Sequence, residues 1–169
     1  MKKNLHLKVK SFQETLNAGM CGPASLKIVL DYYGVNKSEK ELAKLSGTTK
    51  SLGTDVEGLA KAGKQLGFKV SIKNNSSFSD IEKWLAKGTP VIVDWFTRGR
   101  KDYTDSEIAD GHYSVVCGID NNYIYLQDPE IGNIRKLERD DFKRVWFDFS
   151  GEYIKPKELI VRQIMVVYK

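Results

Sequence analysis

Apolar residues in the first half of the chain recur every three or four positions, the spacing of one buried helix face. In CGPASLKIVLDYYG, this spacing predicts a helix over residues 23–33. Pro23 suits the first turn of that helix, and Gly34 suits its end.

Three further helices are predicted by a shared start signal. Each begins with an S/T-x-x-E capping box, in which two side chains satisfy free N–H groups of the first turn. Each continues with an apolar stripe and ends near a glycine, which suits a helix C-terminus. The boxes pair Ser38 with Glu41, Thr54 with Glu57 and Ser79 with Glu82, and the glycines are Gly47, Gly67 and Gly88.

The second half of the chain changes to the two-residue alternation of β-strands. Strands are predicted at residues 68–72, 90–96, 112–119, 123–127 and 159–168, with a short helical turn at residues 142–146. Helices first and strands later indicate an α+β fold, in which N-terminal helices pack on a C-terminal antiparallel β-sheet. We expect a single domain over residues 1–169, because the chain contains no repeat or linker. The polar run at residues 97–111 suits either a functional lid or a plain surface loop.

Composition narrows the class of protein. The net charge is +5, but the lysines alternate with acidic residues, which is typical of solvated helix faces rather than a nucleic-acid interface. No apolar run reaches the ~18 residues of a membrane helix, and no signal peptide is recognisable, so we expect a cytoplasmic protein without membrane insertion. Two cysteines and two histidines do not form a disulfide framework or a structural zinc site. We therefore expect no metal and no cofactor.

Cys21 stands at the start of the first predicted helix. A helix N-terminus presents free N–H groups and the positive end of the helix dipole, which stabilise a thiolate and increase its reactivity. The same N–H groups can bind an oxyanion that forms beside the sulfur. Cys21 is therefore a candidate nucleophile, and the alternative is a small buried hydrophobic residue.

His112 is the better candidate for the base that a catalytic thiol needs, because His6 lies in a lysine-rich N-terminal segment. Asp128, at the end of the next predicted strand, could orient the imidazole. A three-residue turn at residues 120–122 would place the two side chains on one face as diagonal neighbours. A two-residue turn would place them on opposite faces unless one strand contains a bulge. The same alternation directs Cys117 away from His112, towards the core.

The motif GMCGPASLKIVLDYYG resembles the nucleophile motif of the bacteriocin-processing, or double-glycine leader, cysteine peptidase domains of the papain-like superfamily. The similarity continues through GTDVEGLAKAGKQLGFKV, GTPVIVDWF and GHYSVVCGIDNNYIYLQDPEIGNIRKLERDDFKRVW, and it covers residues 12–146. The Cys-Gly-Pro-Ala motif and the His-to-Asp spacing are its specific parts. The resemblance implies a papain-like cysteine peptidase fold and a peptide or protein substrate.

The resemblance also implies a role for each matching residue. Cys21 would be the nucleophile, His112 the general base and acid, and Asp128 the orienting carboxylate. A glutamine shortly before the cysteine lines the oxyanion hole in this family. Gln13 matches it at a longer spacing, and Asn17 is a nearer residue with an equivalent amide.

Many members of this family are the N-terminal part of a membrane exporter with an ATPase domain, and this sequence contains neither. We therefore expect a free-standing cysteine peptidase, with a leader or propeptide as substrate and a separate transporter or delivery partner. The alternatives are a thiol-dependent acyl or peptidyl transferase on the same three residues and a non-catalytic peptide-binding domain.

Overall fold

The computed structural model describes residues 4–97, 111–149 and 155–169. Most of the predicted lid or loop at residues 97–111 therefore lies outside the described residues. In chain order the elements are β1 (Leu5–His6), α1 (Cys21–Tyr32), α2 (Glu39–Ser46), α3 (Val56–Gln65), β2 (Lys69–Lys73), α4 (Phe78–Ala86), β3 (Val91–Phe96), β4 (Gly111–Ile119), β5 (Tyr123–Asp128), β6 (Asn133–Glu138), α5 (Arg139–Val145), β7 (Phe147–Phe149), β8 (Leu159–Val161) and β9 (Ile164–Tyr168).

Seven of the described strands form one antiparallel sheet, in the order β2-β9-β3-β4-β5-β6. The short β1 pairs with β4 beyond the end of β3, and β7 pairs with β8 in a separate two-stranded sheet. The predicted α+β class is confirmed. The sheet places β4, with β3 and β5 on either side of it, at the centre of the fold.

Helices cover both faces of the large sheet, because its strands alternate apolar residues towards each face. Helices α1, α2 and α3 bury their apolar stripes on one face, against residues that include Ile92, Val115 and Met165. Helices α4 and α5 pack on the other face, where Phe142 and Trp95 are fully buried. The two cores hold β4 from both sides.

The helix starts were predicted with mixed success. The capping box of Ser38 and Glu41 is present, and Gly47 ends α2 in the left-handed conformation at φ 71°. The predicted cap at Thr54 is wrong, because the side chain of Asp55 accepts the hydrogen bond from the third residue of α3. Aspartate is a somewhat better N-cap than threonine, so residue type itself favours the observed cap.

The cap predicted at Ser79 is also wrong. Helix α4 begins two residues earlier, where Ser77 and Asp80 form a reciprocal capping box. Aspartate takes the place of the expected glutamate in this box. Glu82 instead pairs with Arg139 of α5 at 3.2 Å, across the core on that side of the sheet.

Three strands were not predicted, and one prediction joined two strands into one. The sequence analysis missed β1, β6 and β7. The strand predicted at residues 159–168 divides into β8 and β9, because Arg162 adopts a left-handed conformation at φ 46°. The chain therefore turns between the small sheet and the large one.

Candidate active site

The thiol of Cys21 lies at the N-terminus of α1. Cys21 is the first residue of the helix, and it is partly exposed. Ala24 donates to the carbonyl of Met20 (2.9 Å), so the N–H groups of Cys21 and Gly22 precede the first helical hydrogen bond. These groups and the helix dipole favour negative charge at the sulfur.

Two glycines allow the segment around the thiol to pack closely against α3 and the loop before it. Gly19 is left-handed (φ 68°), and a Cβ added there would lie 2.6 Å from the carbonyl oxygen of Thr49. A Cβ added at Gly22 would lie 3.3 Å from the methyl groups of Leu59. The packing fixes the start of α1 and with it the position of the sulfur.

His112 and Asp128 form a short hydrogen bond, with 2.6 Å between Nε2 and Oδ1. Both residues are buried, His112 with 7% of its surface exposed and Asp128 with 0%. Because Nε2 is engaged by the carboxylate, Nδ1 is the ring nitrogen left for a second partner. The thiol of Cys21 lies close enough to interact with this side chain, since it is among the groups that raise the pKa of His112. The structure therefore brings three of the predicted site residues into one chain of contacts.

The hairpin between β4 and β5 has the two-residue form. The N–H of Asp120 donates to the carbonyl of Tyr123 (3.0 Å), so Asn121 and Asn122 are the central residues of the turn. The Asp120 carboxylate also accepts from the N–H groups of Asn122 and Tyr123, each at 2.8 Å. A regular ladder continued from this turn would place the site histidine and aspartate on opposite faces.

A β-bulge restores the required register. Gly118 pairs with Tyr125, but Val116 pairs with Leu126, which leaves Cys117 as an extra residue in β4. Beyond the bulge the strands follow the register that makes the histidine and the aspartate diagonal neighbours. Of the two arrangements that the sequence allows, a longer turn or a bulge, the structure has the bulge.

Trp95 covers the histidine from the neighbouring strand. It pairs with His112 across β3 and β4, and the two ring centroids lie 5.9 Å apart. The indole is fully buried, and its Nε1 donates to the hydroxyl of Ser114 at 3.0 Å. Excluding water in this way strengthens the hydrogen bond between His112 and Asp128.

Burial and charge act in opposite directions on the pKa values of the site. Burial lowers the pKa of His112, but Asp128 and the thiol of Cys21 outweigh it and raise that pKa well above its usual value. Burial raises the pKa of Asp128, but His112 and Arg135 outweigh it and lower that pKa to about 2. The histidine therefore favours the imidazolium form, and the aspartate stays ionised.

Arg135 is a site residue that the sequence analysis missed. Its Nε donates to Oδ2 of Asp128, and its Nη2 lies 3.6 Å from Oε2 of Glu130. It lies on β6, for which no strand was predicted. In the structure Arg135 and Leu137 are half-buried and alternate with exposed residues, but the sequence NIRKLE has no matching alternation of apolar and polar residues.

One grouping in the site has the donor types of a divalent-cation site. A ring nitrogen of His112 and carboxylate oxygens of Asp128 and Glu130 lie within 4.8 Å of one another. The guanidinium of Arg135 already contacts both carboxylates and supplies the positive charge between them. We assign no metal to these residues.

The two predicted oxyanion-hole amides have different surroundings. Among the described residues, the amide of Gln13 donates to the carbonyl of Glu130 (3.1 Å) rather than to Cys21. Asn17 is exposed and lies in the turn before the helix, at φ 56°. The role of Gln13 stays a prediction, and its amide must leave Glu130 to fulfil it.

Glu14, next to Gln13, is a second residue that the sequence analysis missed. Its N–H donates to the carbonyl of Pro129 (2.9 Å), which ties this segment to the turn after β5. Burial raises the pKa of its carboxyl to about 7, where His112 opposes the shift and Asp128 and other carboxylates add to it. A second titrating group therefore lies beside the histidine and aspartate.

Two neighbouring carboxyl groups, the buried Asp94 and the half-buried Asp148, lie on β3 and β7. Asp94 of β3 hydrogen-bonds Asp148 of β7, and burial together with that neighbour raises the pKa of Asp94 well above its usual value. Tyr113 pairs with Asp94 across the strands, and burial, Asp94 and Cys21 raise the pKa of its hydroxyl. Asp94, Asp148 and Tyr113 therefore form one group of interacting acidic side chains, and Tyr113 also interacts with Cys21.

Cys117 is buried in the core of the fold, as predicted, with 2% of its surface exposed. Burial raises the pKa of its thiol to about 11, and its Sγ lies 3.5 Å from the carbonyl oxygen of Tyr125. The two cysteines of the chain thus differ in exposure and in surroundings.

Among the described residues, none of the helices has the length and apolar character to span a membrane.

Comparison with known proteins gives the same picture at the level of the family. The sequence profile of the Peptidase C39 family matches residues 10–150. The chain is 29% identical over 147 residues to a lactococcin transport/processing ATP-binding protein, LcnC-like, of Lactococcus lactis subsp. lactis, covering 86% of this chain and 19% of that protein. It is 37% identical over 135 residues to an uncharacterized protein of Methanothermobacter marburgensis, covering 79% of each.

The fold matches solved structures. The chain superposes on a double-glycine motif protease from an AMS/PCAT transporter, solved in complex with a leader peptide, with a TM-score of 0.70 and 18% identity. The match covers 99% of this chain and 97% of that one. The architecture is therefore that of the papain-like peptidase domains predicted from the sequence. The chain spans about a fifth of the length of the lactococcin transport protein, 19%.

Proposed function

The chain belongs to the Peptidase C39 family, and from this we propose that it is a cysteine peptidase whose nucleophile is Cys21. His112 acts as general base and acid, and Asp128 orients the imidazole. The observation that supports the proposal is the 2.6 Å hydrogen bond between His112 Nε2 and Asp128 Oδ1, together with the interaction of Cys21 with the same histidine.

The reaction follows from these contacts. His112 takes the thiol proton on Nδ1, and the resulting imidazolium is stabilised by the buried carboxylate of Asp128. The thiolate attacks the peptide carbonyl, and the carbonyl oxygen becomes an oxyanion. His112 then returns the proton to the leaving amine, which leaves a thioester on Cys21. Water activated by His112 hydrolyses the thioester and restores the thiol.

The oxyanion needs hydrogen-bond donors beside the sulfur. The backbone N–H of Cys21 lies at the start of α1 and is the first donor. A side-chain amide is the second, and we assign it to Gln13, with Asn17 as the alternative. For this role the Gln13 amide exchanges the carbonyl of Glu130 for the oxyanion.

The substrate class is inferred from the relatives. One is a transport/processing protein for lactococcin, and the structural neighbour is a double-glycine motif protease solved with a leader peptide. We infer that this chain cleaves a leader or propeptide and receives it from a transporter or delivery partner.

The first test is the rate at which iodoacetamide alkylates Cys21 between pH 4 and pH 10, with peptide mapping to separate it from Cys117. An ordinary thiol follows a titration near pH ~8.5. A thiolate paired with imidazolium also reacts well below pH 7, and we call this part of the pH–rate profile the acid limb. We expect His112→Ala to remove the acid limb. An ordinary titration in the unmodified protein would contradict the proposal.

The second test is cleavage of a synthetic leader peptide that ends in Gly-Gly followed by a short cargo. We expect cleavage after the second glycine, lost in Cys21→Ala. A product joined to an added acceptor amine would identify a transferase instead. A reactive thiol that forms no thioester with any such peptide would favour the non-catalytic peptide-binding alternative.

A further inference from the structure

Arg135 repeats on one side of Asp128 the geometry that His112 has on the other. In the β5–β6 ladder Asp128 pairs with Asn133 and Leu126 pairs with Arg135. Residues two apart on a strand share a face, so Arg135 and Asp128 are diagonal neighbours on one face of the sheet. Three adjacent strands thus place an imidazole, a carboxylate and a guanidinium in a row.

Each oxygen of the Asp128 carboxylate has its own donors. Oδ1 accepts from His112 (2.6 Å) and from the N–H of Glu130 (3.0 Å). Oδ2 accepts from Nε of Arg135. The carboxylate is therefore held in one rotamer and in one orientation towards the imidazole.

The guanidinium is itself held in place. Its side chain is only 12% exposed, and its Nη2 lies 3.6 Å from Oε2 of Glu130. Glu130 follows Asp128 by two residues in the turn between β5 and β6. Arg135 thus links the carboxylate to the turn that carries it, and its planar fork suits two carboxylates in a way that a lysine does not.

A fully buried carboxylate needs a permanent partner if its histidine partner changes charge. His112 is a cation when it holds the thiol proton and neutral when it has given that proton away. A buried anion left without a compensating charge is strongly disfavoured and takes up a proton instead. Arginine remains charged at every working pH, so its charge does not follow the reaction cycle.

We propose that Arg135 is a positioning residue of the active site, which keeps Asp128 ionised and aimed at His112 in both charge states of the histidine. It acts through Asp128 and touches neither substrate nor thiol. The inference rests on the proposed function, because it assigns to Arg135 the support of a histidine that exchanges protons with Cys21.

The test compares the pH profile of Cys21 alkylation in the full chain and in two variants. In Arg135→Gln the carboxylate protonates at higher pH, and the imidazolium then loses its partner. We expect the acid limb to move up by about one pH unit or more, which slows alkylation on that limb by roughly tenfold. The rate at pH 10, the top of the scan, should not change, because a thiol with an ordinary pKa near ~8.5 is almost fully ionised there. Arg135→Lys keeps the positive charge but loses the planar guanidinium that contacts both carboxylates. Its acid limb should therefore move to higher pH by a smaller amount.

Arg144→Gln is the matched control, because Arg144 is 77% exposed and its ion pair with Asp141 lies at the surface. Its profile should coincide with that of the unmodified protein. If Arg135→Gln does not fold, the comparison is made with Arg135→Lys. An acid limb at the same pH in the folded variant and in the unmodified protein would overturn the inference. The two proposals fail separately. An unmodified protein without an acid limb contradicts the cysteine peptidase, whereas a limb that is present and insensitive to Arg135 contradicts only the role of Arg135.

Discussion

His112 and Asp128 lie on one face of the sheet because the β4–β5 ladder slips by one residue at Cys117. The tight Asn-Asn turn alone would have separated them. The bulge therefore determines whether the imidazole meets its carboxylate. Bulges commonly redirect a side chain next to an active site, and here the bulged residue is itself buried.

The burial of Cys117 predicts that the native protein is alkylated at Cys21 and not at Cys117. Cys117 is 2% exposed, and burial raises the pKa of its thiol to about 11. Mass spectrometry after iodoacetamide treatment at pH 7.5 should find one label per native chain and two in guanidinium chloride. Equal labelling of both cysteines in the native protein would show that the bulge opens readily.

The arrangement of donors around Asp128 predicts a large cost for Asp128→Asn. Donors from His112, Arg135 and the Glu130 backbone face both oxygens, so the amide NH₂ of asparagine must oppose one of them. We expect a loss of about 3 kcal/mol in the free energy of unfolding, measured by urea denaturation.

A double variant tests this explanation by adding a hydrogen-bond acceptor next to the asparagine amide. Asp128→Asn combined with Arg135→Gln lets the glutamine carbonyl accept from the asparagine amide, and it should recover part of the loss. Asp141→Asn is the control, since Asp141 is 61% exposed. A double variant that is as unstable as the sum of the single variants would argue against the donor conflict.

The raised pKa of Glu14 predicts a pH dependence of stability. Its folded-state pKa of about 7 lies above the ordinary 4.5, so the folded state binds more protons between these values. The stability that Glu14 contributes is present below pH 4.5 and is lost as the pH rises through about 7. Glu14→Gln should therefore melt at a higher temperature than the unmodified protein at pH 8, and this difference should shrink towards pH 4. The exposed Glu57→Gln is the control, and an identical response in both variants would show that Glu14 is not specifically buried.

The cap of α4 predicts different effects for two serines that lie two residues apart. Ser77 accepts from the N–H of Asp80, whereas Ser79 lies within the first turn and is exposed. Ser77→Ala should reduce the free energy of unfolding by about 1 kcal/mol, and Ser79→Ala should have little effect. Chemical denaturation of the two variants distinguishes the caps, and a larger loss for Ser79→Ala would place the helix start where the sequence predicted it.

If Gln13 is the second oxyanion donor, its loss should slow peptide cleavage and leave the alkylation rate of Cys21 unchanged. Gln13→Ala should slow peptide cleavage by roughly a hundredfold, since one donor contributes ~3 kcal/mol to the barrier. Cys21 alkylation should be unchanged, because alkylation forms no oxyanion. Asn17→Gly is the matched variant, since glycine accepts the left-handed conformation at φ 56°. Slower cleavage in Asn17→Gly alone would transfer the role to Asn17.

Periodicity predicted the elements that carry the first two site residues. The apolar stripe of α1 and the dense strand β4 have strong local signals, so the positions of Cys21 and His112 in the fold followed from the chain alone. The contact between His112 and Asp128 did not, because it depends on the register. A bulge at a neighbouring residue would give the same register, so the local sequence pattern does not identify Cys117 as the bulged residue.

Arg135 was not predicted as a site residue for a different reason. Strand β6 is an edge strand with charged residues on both faces, so its alternation carries little apolar contrast. From the sequence, an arginine in such a strand is predicted to be a surface residue. Its ion pairs with Asp128 and Glu130 join it to the neighbouring strand and turn, and such pairs are not encoded in the local pattern.

The order of the site residues along the chain has a consequence for folding. The strands β4, β5 and β6 follow one another through short turns, so His112, Asp128 and Arg135 come together at a small cost in loop-closure entropy. Cys21 must instead be brought from the other end of the domain, across three helices and two strands. Contacts of such long sequence separation form slowly. The base and its supports thus lie in one local meander, whereas Cys21 reaches them only through packing of long sequence separation. A reactive Cys21 therefore reports that this long-range packing has formed.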